Sequence, residues 1–325
     1  MTVDTRPSLT RIPLYPGTLP AVVPDAPAWP RADLTSGGVT LHARRTPGPD
    51  GGELAVYLHG LGGSASNFTD LAGLLATRHP GMALDLPGFG RSRPPAGFDY
   101  ALDSHAEVVA RFLADLPQRP VHLAGNSMGG AVALLIAARH PELVRTLTLL
   151  APAMPDLRVD PRRFSDPRMV LAFVPVVRAG ARRRLAEVPA HERVEQMLRV
   201  CFADPSNVTA ARRSAAAEEF VERAGLAWTA AALSRSTEGL IRSWLAPRAR
   251  SLWQVATGVR APALVVWGTA DKLVSVRKAP RTARMLPRGR LFVLPRTGHV
   301  PQMERPTSVA RAVLGMIDAI AANAW

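Results

Sequence analysis

The chain reads as an α/β fold: a mostly parallel central sheet flanked by helices and interrupted by an all-helical insertion. Three observations predict it. Apolar runs of strand length alternate with helix-length amphipathic segments in both the first and last parts of the chain. Most of those runs end in loops rich in glycine or proline. Between residues 153 and 255 the alternation stops, and apolar positions recur at helical spacing, as at Val194, Met197, Leu198 and Cys201.

Residues 1–35 carry Pro13, Pro16, Pro20, Pro24, Pro27 and Pro30. Proline removes backbone donors and favours extended conformations, so this stretch is expected to be an irregular arm across the core. Residues 36–152 and 256–325 are expected to form that core, and residues 153–255 a cap. Val39 to Ala43 and Leu54 to Leu58 read as strands separated by a turn-forming Pro-Gly-Pro-Asp-Gly-Gly segment. Asn67 to His79 reads as a helix, Met82 to Leu86 as a short buried strand, and Leu102 to Leu116 as an amphipathic helix. Val121 to Ala124 is a buried strand, followed by a buried helix over Ala131 to Ala138, and then a strand over Leu143 to Leu150. Beyond the cap, Ala263 to Trp267 and Arg290 to Leu294 read as strands. Arg277 to Met285 and Thr307 to Ala321 read as helices. Strands alternating with helices imply a parallel sheet buried on both faces.

The chain has 325 residues, 47 % of them hydrophobic, enough for a large core and against disorder. No apolar run approaches the ~18 residues that span a bilayer. The first residues have no apolar segment of the secretory type, so a cytoplasmic protein is expected. Cys201 is the sole cysteine, which excludes an intrachain disulfide and reads as a buried small hydrophobe. The net charge of +14 invites a nucleic-acid reading. The excess is almost all arginine, since Lys272 and Lys278 are the only lysines, and it is scattered without interleaved aromatics. A solvated basic surface is expected, with no nucleic-acid partner.

The strand from Val121 turns through Gly125-Asn126-Ser127-Met128-Gly129 into a helix. A strand–turn–helix of this kind holds the apex serine in a strained backbone at the carboxyl edge of a sheet. Glycines two residues to either side remove Cβ atoms where strand and helix come close. The helix amino terminus offers N–H groups and a positive dipole end to a developing oxyanion.

Five segments together resemble the α/β-hydrolase fold superfamily. They are His59-Gly60-Leu61-Gly62-Gly63, Asp85-Leu86-Pro87-Gly88-Phe89-Gly90-Arg91-Ser92, Gly125-Asn126-Ser127-Met128-Gly129-Gly130, Gly268-Thr269-Ala270-Asp271, and Gly298-His299 running to Pro306. The order Ser…Asp…His is that superfamily's order. The resemblance implies Ser127 as nucleophile, His299 as base and then acid, and Asp271 as the carboxylate that orients the imidazole. Some relatives take the acid from the loop after an earlier strand, where Asp156 and Asp160 stand here. The backbone N–H groups of Leu61 and Met128 would form the oxyanion hole. His59 is expected to shape that loop, His122 to be a satisfied core histidine, and Asp85 to make structural hydrogen bonds. No cofactor is expected, and no metal site, because no histidine–carboxylate pair shows ligand spacing on a helix.

A serine at the apex sets the chain apart from relatives with aspartate there. The Gly-Asn-Ser-Met-Gly-Gly turn is similar to that of meta-cleavage-product hydrolases, which cut carbon–carbon bonds. Those usually carry tryptophan soon after the histidine, where this chain has Val300 and Pro301, and a different glycine loop. An esterase acting through an acyl-enzyme is therefore the expected activity, with the carbon–carbon hydrolase as alternative. A binding protein of the same fold without turnover is the alternative of another class. The cap, with Phe164, Phe173, Phe202, Phe220, Trp228 and Trp244, suits a small-molecule substrate with an apolar portion. Arg182-Arg183-Arg184 in the cap would draw in acidic substrates or rest transiently on a membrane surface.

Overall fold

The computed structural model describes residues 12–156 and 188–325. Phe164, Phe173, Asp160 and Arg182 to Arg184 lie outside the described residues.

Eight strands form one sheet in the order β1-β2-β4-β3-β5-β6-β7-β8. They are β1 (Arg31–Ser36), β2 (Val39–Thr46), β3 (Ala55–Leu58), β4 (Gly81–Leu84), β5 (Val121–Asn126), β6 (Val144–Leu150), β7 (Ala263–Gly268) and β8 (Gly289–Leu294). β1, β2 and β4 pair antiparallel, and from β4 to β8 every pairing is parallel. Every residue of β3, β4, β5 and β7 is buried, as strands covered on both faces must be.

Helices α1 (Thr69–Leu75), α2 (Leu102–Ala114) and α3 (Met128–Arg139) connect the early strands. The first ten residues of α3 are all buried, which is why that segment reads as apolar all round. The insertion contributes α4 (Ala190–Cys201), α5 (Ala210–Ala224) and α6 (Thr229–Trp244). Then follow α7 (Leu252–Ala256), α8 (Ala279–Met285), α9 (Pro301–Glu304) and α10 (Pro306–Ala321). One face of the sheet packs on α2, α3, α7 and α8 through residues such as Phe112, Leu134, Leu252 and Ala283. The other packs on α1 and α10 through Leu71, Leu75, Val309 and Met316.

Three elements differ from the sequence expectation. Residues expected to close the arm form β1, an edge strand whose exposure alternates along Arg31 to Ser36. Its short, partly charged sequence suits an edge that must not recruit further strands. The helix expected over Asn67 to His79 is a 3₁₀ turn at Ala65–Phe68 followed by α1, which stops at Leu75. Pro80 disfavours helical geometry at His79, and the His79 ring turns instead to the Glu53 carbonyl. The expected end of the cap, residue 255, falls within α7, whose Leu252 and Ala256 belong to the core.

The arm lies across the sheet face that carries α1 and α10. Ile12, Tyr15, Leu19 and Val22 pack there, and the Tyr15 N–H donates to the Arg311 carbonyl at 2.9 Å. The Trp29 indole N–H donates to the Thr69 carbonyl at 2.9 Å. Its ring lies so close to α1 that a Cβ on Gly73 would stand 3.1 Å from it.

Candidate active site

The parallel strands deliver their following loops to one edge of the sheet, where α/β folds place their ligands. Ser127 stands between β5 and α3 with φ 52° and ψ −117°, a left-handed conformation that costs a serine about 1–3 kcal/mol. Strand and helix approach as closely as the glycine pattern requires. A Cβ on Gly125 would stand 2.2 Å from the Gly129 carbonyl oxygen, and one on Gly129 would stand 2.3 Å from that of Leu58. The strained turn is held from both sides. The Ser127 N–H donates to the Leu150 carbonyl at 3.0 Å, and the Ser127 carbonyl accepts from Ala131 and Ala153.

His299 follows β8 and is 4 % exposed. Its Nδ1 lies 2.9 Å from Asp271 Oδ2. The other carboxylate oxygen, Oδ1, accepts from the backbone N–H groups of Leu273 and Val274, both at 2.9 Å. Asp271 is thus fixed with one oxygen directed at the imidazole. Because a carboxylate accepts, Nδ1 carries a proton, and in the neutral ring the lone pair is on Nε2. The main chain of His299 is clamped too: its N–H donates to the Cys201 carbonyl at 2.7 Å, and its carbonyl accepts from Asn126 Nδ2 at 3.0 Å. Asn126 precedes Ser127, and its amide also donates to the Leu150 carbonyl. The serine turn and the histidine loop are therefore tied together by one side chain.

The rival acid is engaged elsewhere. Asp156 Oδ2 lies 2.9 Å from Lys278 Nζ, in a pair almost closed to solvent.

The glycine loop after β3 lies against the serine. A Cβ on Gly60 would stand 3.1 Å from Ser127 Cβ. Leu61 is the next residue, and Met128 is the first residue of α3, so its N–H belongs to the helix turn that has no carbonyl partner within the helix. His59 shapes this loop as a neutral ring. Leu86 N–H donates to its Nε2 at 3.0 Å, and its Nδ1–H donates to the Gly60 carbonyl at 2.7 Å. Burial holds its pKa below the ordinary histidine value. Asp85, also buried, accepts from the backbone N–H groups of Ala65 and Arg91 and so braces the neighbouring loop.

Several contacts that the sequence did not show join this assembly to the cap. Arg223 on α5 donates to the carbonyls of Gly62 and Gly63, both at 3.0 Å. Glu219, one turn earlier, accepts from the Ser66 hydroxyl at 2.8 Å. Burial raises the Glu219 pKa, but Arg223 and the hydroxyls of Ser64 and Ser66 outweigh it and hold the carboxyl below its usual range. Glu304 accepts from Gly298 N–H at 2.6 Å and from Ala203 N–H at 3.0 Å, joining the histidine loop to the end of α4. Lys272 donates to the carbonyls of Arg199 and Phe202. Most of these contacts join residues far apart in the chain and leave no local pattern in the sequence. Cys201 takes part only through its carbonyl, and burial pushes its thiol up to about 12, which makes it a poor nucleophile.

His122 is a satisfied core histidine, between Thr146 Oγ1 and Glu53 Oε2, each at 2.9 Å. Among the described residues no helix is long and apolar enough to cross a membrane.

Residues 56–306 match the family model described as the alpha/beta hydrolase fold. A dihydrolipoyllysine-residue acetyltransferase component of the acetoin cleaving system from Pseudomonas putida is 31 % identical over 83 % of this chain. The chain spans 65 % of that relative's length. Lipase 1 of Psychrobacter immobilis is 27 % identical over 83 % of this chain and 78 % of its own. Lipases and meta-cleavage-product hydrolases both occur among the relatives. Among solved structures, a bacterial membrane phospholipase A described as a virulence factor superposes with a TM-score of 0.73. It is 27 % identical, with 90 % of this chain and 86 % of that one covered. With its sheet order, its serine turn and its match over most of its length, the chain is an enzyme of the α/β-hydrolase fold family.

Proposed function

We propose that this chain is a serine hydrolase that cleaves a carboxylic ester with an apolar acyl part through an acyl-enzyme on Ser127. The 2.9 Å hydrogen bond between His299 Nδ1 and Asp271 Oδ2 carries this reading. It leaves the His299 Nε2 lone pair as the base on the edge that presents Ser127. In the first half-reaction Nε2 takes the Ser127 proton as Oγ bonds to the ester carbonyl carbon. The negative charge on the carbonyl oxygen is met by the N–H groups of Leu61 and Met128. Collapse breaks the bond to the leaving alkoxide, which receives the proton from His299 as the alcohol departs. Water then repeats the sequence, with its proton passing through His299 back to Ser127 and the acid released. Asp271 stays ionised throughout and stabilises the imidazolium.

Leu233 on α6 supports an apolar acyl group. Its Cδ1 would lie 3.6 Å from a Cβ placed on Gly62, so it overlooks the glycine loop, and it is 48 % exposed. The Gly-Asn-Ser-Met-Gly-Gly turn favours the second reading, carbon–carbon bond hydrolysis. Nitrophenyl esters of graded chain length, run beside a vinylogous diketone, separate the two. The expected result is ester turnover well above diketone turnover, with Ser127→Ala losing both activity and labelling by a fluorophosphonate. Faster diketone turnover would replace the first reading by the second. A wild-type protein that neither turns over nor takes the label would overturn both.

A further inference from the structure

The geometry points to a divalent cation site of the zinc type, built from Glu53, His79 and His122 at the amino edge of the sheet, opposite the serine. Glu53 and His79 lie just before β3 and β4, and His122 is the second residue of β5. One potential ligand atom from each lies within 4.8 Å of those of the other two. Residues so far apart in the sequence show no ligand spacing, which is why the expectation of no metal rested on helical spacing alone.

His79 is the residue that calls for a ligand. It is 6 % exposed, and its Nδ1 lies 3.1 Å from the Glu53 carbonyl oxygen. A carbonyl only accepts, so Nδ1 carries the hydrogen and Nε2 is left with a bare lone pair. That Nε2 is buried and has no hydrogen-bond partner among the described residues. The His122 ring stands 4.7 Å away, centroid to centroid, at 74°.

Every candidate ligand has the outer partner that metal ligands require. The His79 Nδ1–H is held by a main-chain carbonyl. His122 Nδ1 has the Thr146 hydroxyl at 2.9 Å, and Glu53 Oε1 has Arg145 Nε at 2.9 Å. Without a cation, the contact between His122 Nε2 and Glu53 Oε2 needs the proton on Nε2, with Thr146 donating to Nδ1. With one, the neutral His122 ring changes tautomer. Its proton moves to Nδ1, the Thr146 hydroxyl turns to accept it, and Nε2 faces the metal, so no net proton is released. Two imidazoles and one carboxylate are a zinc donor set, with solvent as fourth ligand. Zinc bonds of about 2.0–2.1 Å bring tetrahedral ligands closer together than the present spread, and Glu53, whose side chain is 41 % exposed, can swing inward. Bound there, the ion would pin the starts of three adjacent strands.

Calorimetric titration of the chelator-treated full chain with zinc chloride tests this. One equivalent is expected to bind and to raise Tm. His79→Gln and Glu53→Gln are each expected to weaken binding at least tenfold. Wild type titrated with cobalt(II) is expected to develop the visible bands of a tetrahedral site, a readout that needs no variant. Binding retained at wild-type strength in either variant would place the ion elsewhere, on His299 for instance, and would overturn the assignment. So would a wild type without a zinc heat or without tetrahedral cobalt bands.

Discussion

The carbonyl of Cys201, at the end of α4, accepts the backbone N–H of His299 at 2.7 Å. A helix of the insertion thus holds the main chain of the histidine proposed as the base. Glu304 reinforces the same junction, accepting from Gly298 on one side and Ala203 on the other. Main-chain bonds of this kind survive side-chain substitution.

Asp271→Asn should lower kcat by about 10³–10⁴ while leaving Tm within a few degrees, because the amide can hold the geometry but favours the wrong imidazole tautomer. Asp156→Asn should leave kcat within about threefold, since Asp156 pairs with Lys278. Ester kinetics on both variants check this. A larger loss in Asp156→Asn would reverse the assignment of the acid.

Arg223→Ala should lower kcat more than it raises KM. The guanidinium grips the carbonyls of Gly62 and Gly63, next to the Leu61 N–H proposed for the oxyanion hole. Loss of one oxyanion donor outright costs about 2.7–4 kcal/mol, and misaiming it should cost part of that, about tenfold to a hundredfold in kcat. Arg223→Lys, with a single ammonium for two carbonyls, should fall between. Steady-state kinetics with one ester across the three proteins would detect a KM effect instead.

Ser127→Gly should raise stability as it removes activity. Glycine accepts φ 52° without a Cβ penalty, so part of the about 1–3 kcal/mol of local strain should be recovered. Gly129→Ala should do the opposite, since the new Cβ meets the Leu58 and His59 carbonyl oxygens at 2.3 and 2.4 Å. Denaturant midpoints of the two variants against wild type measure both signs.

Stability should fall as pH drops below the ordinary histidine range. His105 is buried among Phe89, Phe98 and Tyr100, and burial pushes its pKa down to about 3. His122 is pushed down to about 4. An unfolded chain binds these protons near pH 6.5, so it holds more protons than the folded chain between that pH and the folded values. The stabilising contribution is complete above about pH 6.5 and is lost on descent through that window, at up to about 1.4 kcal/mol per unit for each group. Urea unfolding at pH 7 and pH 5 should show the drop, and His105→Gln should show a shallower one.

Much of the candidate site was legible because each loop proposed to be catalytic is a sharp turn after a short apolar strand. Gly125 to Gly129 can be read locally, since the glycines answer to carbonyls a few residues away or on the adjacent strand. The roles proposed for Ser127, His299 and Asp271 rest on chain order and chemistry together, and the structure adds the 2.9 Å contact between His299 Nδ1 and Asp271 Oδ2. Arg223, the Glu304 contact to Ala203 and the Cys201 carbonyl were not legible, because their partners are main-chain atoms from far along the chain. β1 escaped notice because an edge strand needs only one apolar face, and the prolines before it masked that alternation. The trio Glu53, His79 and His122 was invisible for a similar reason: parallel strands gather residues by sheet order, not by sequence spacing.

That sheet order has a consequence for vectorial synthesis. β7 zips onto β6, although the entire cap is translated between them. As the polypeptide leaves the ribosome, the flank of β6 waits bare, with the backbone groups of residues 147–150 that pair with β7 unpaired, until residue 263 emerges. A nascent chain stalled inside the cap should need a chaperone to stay dispersed.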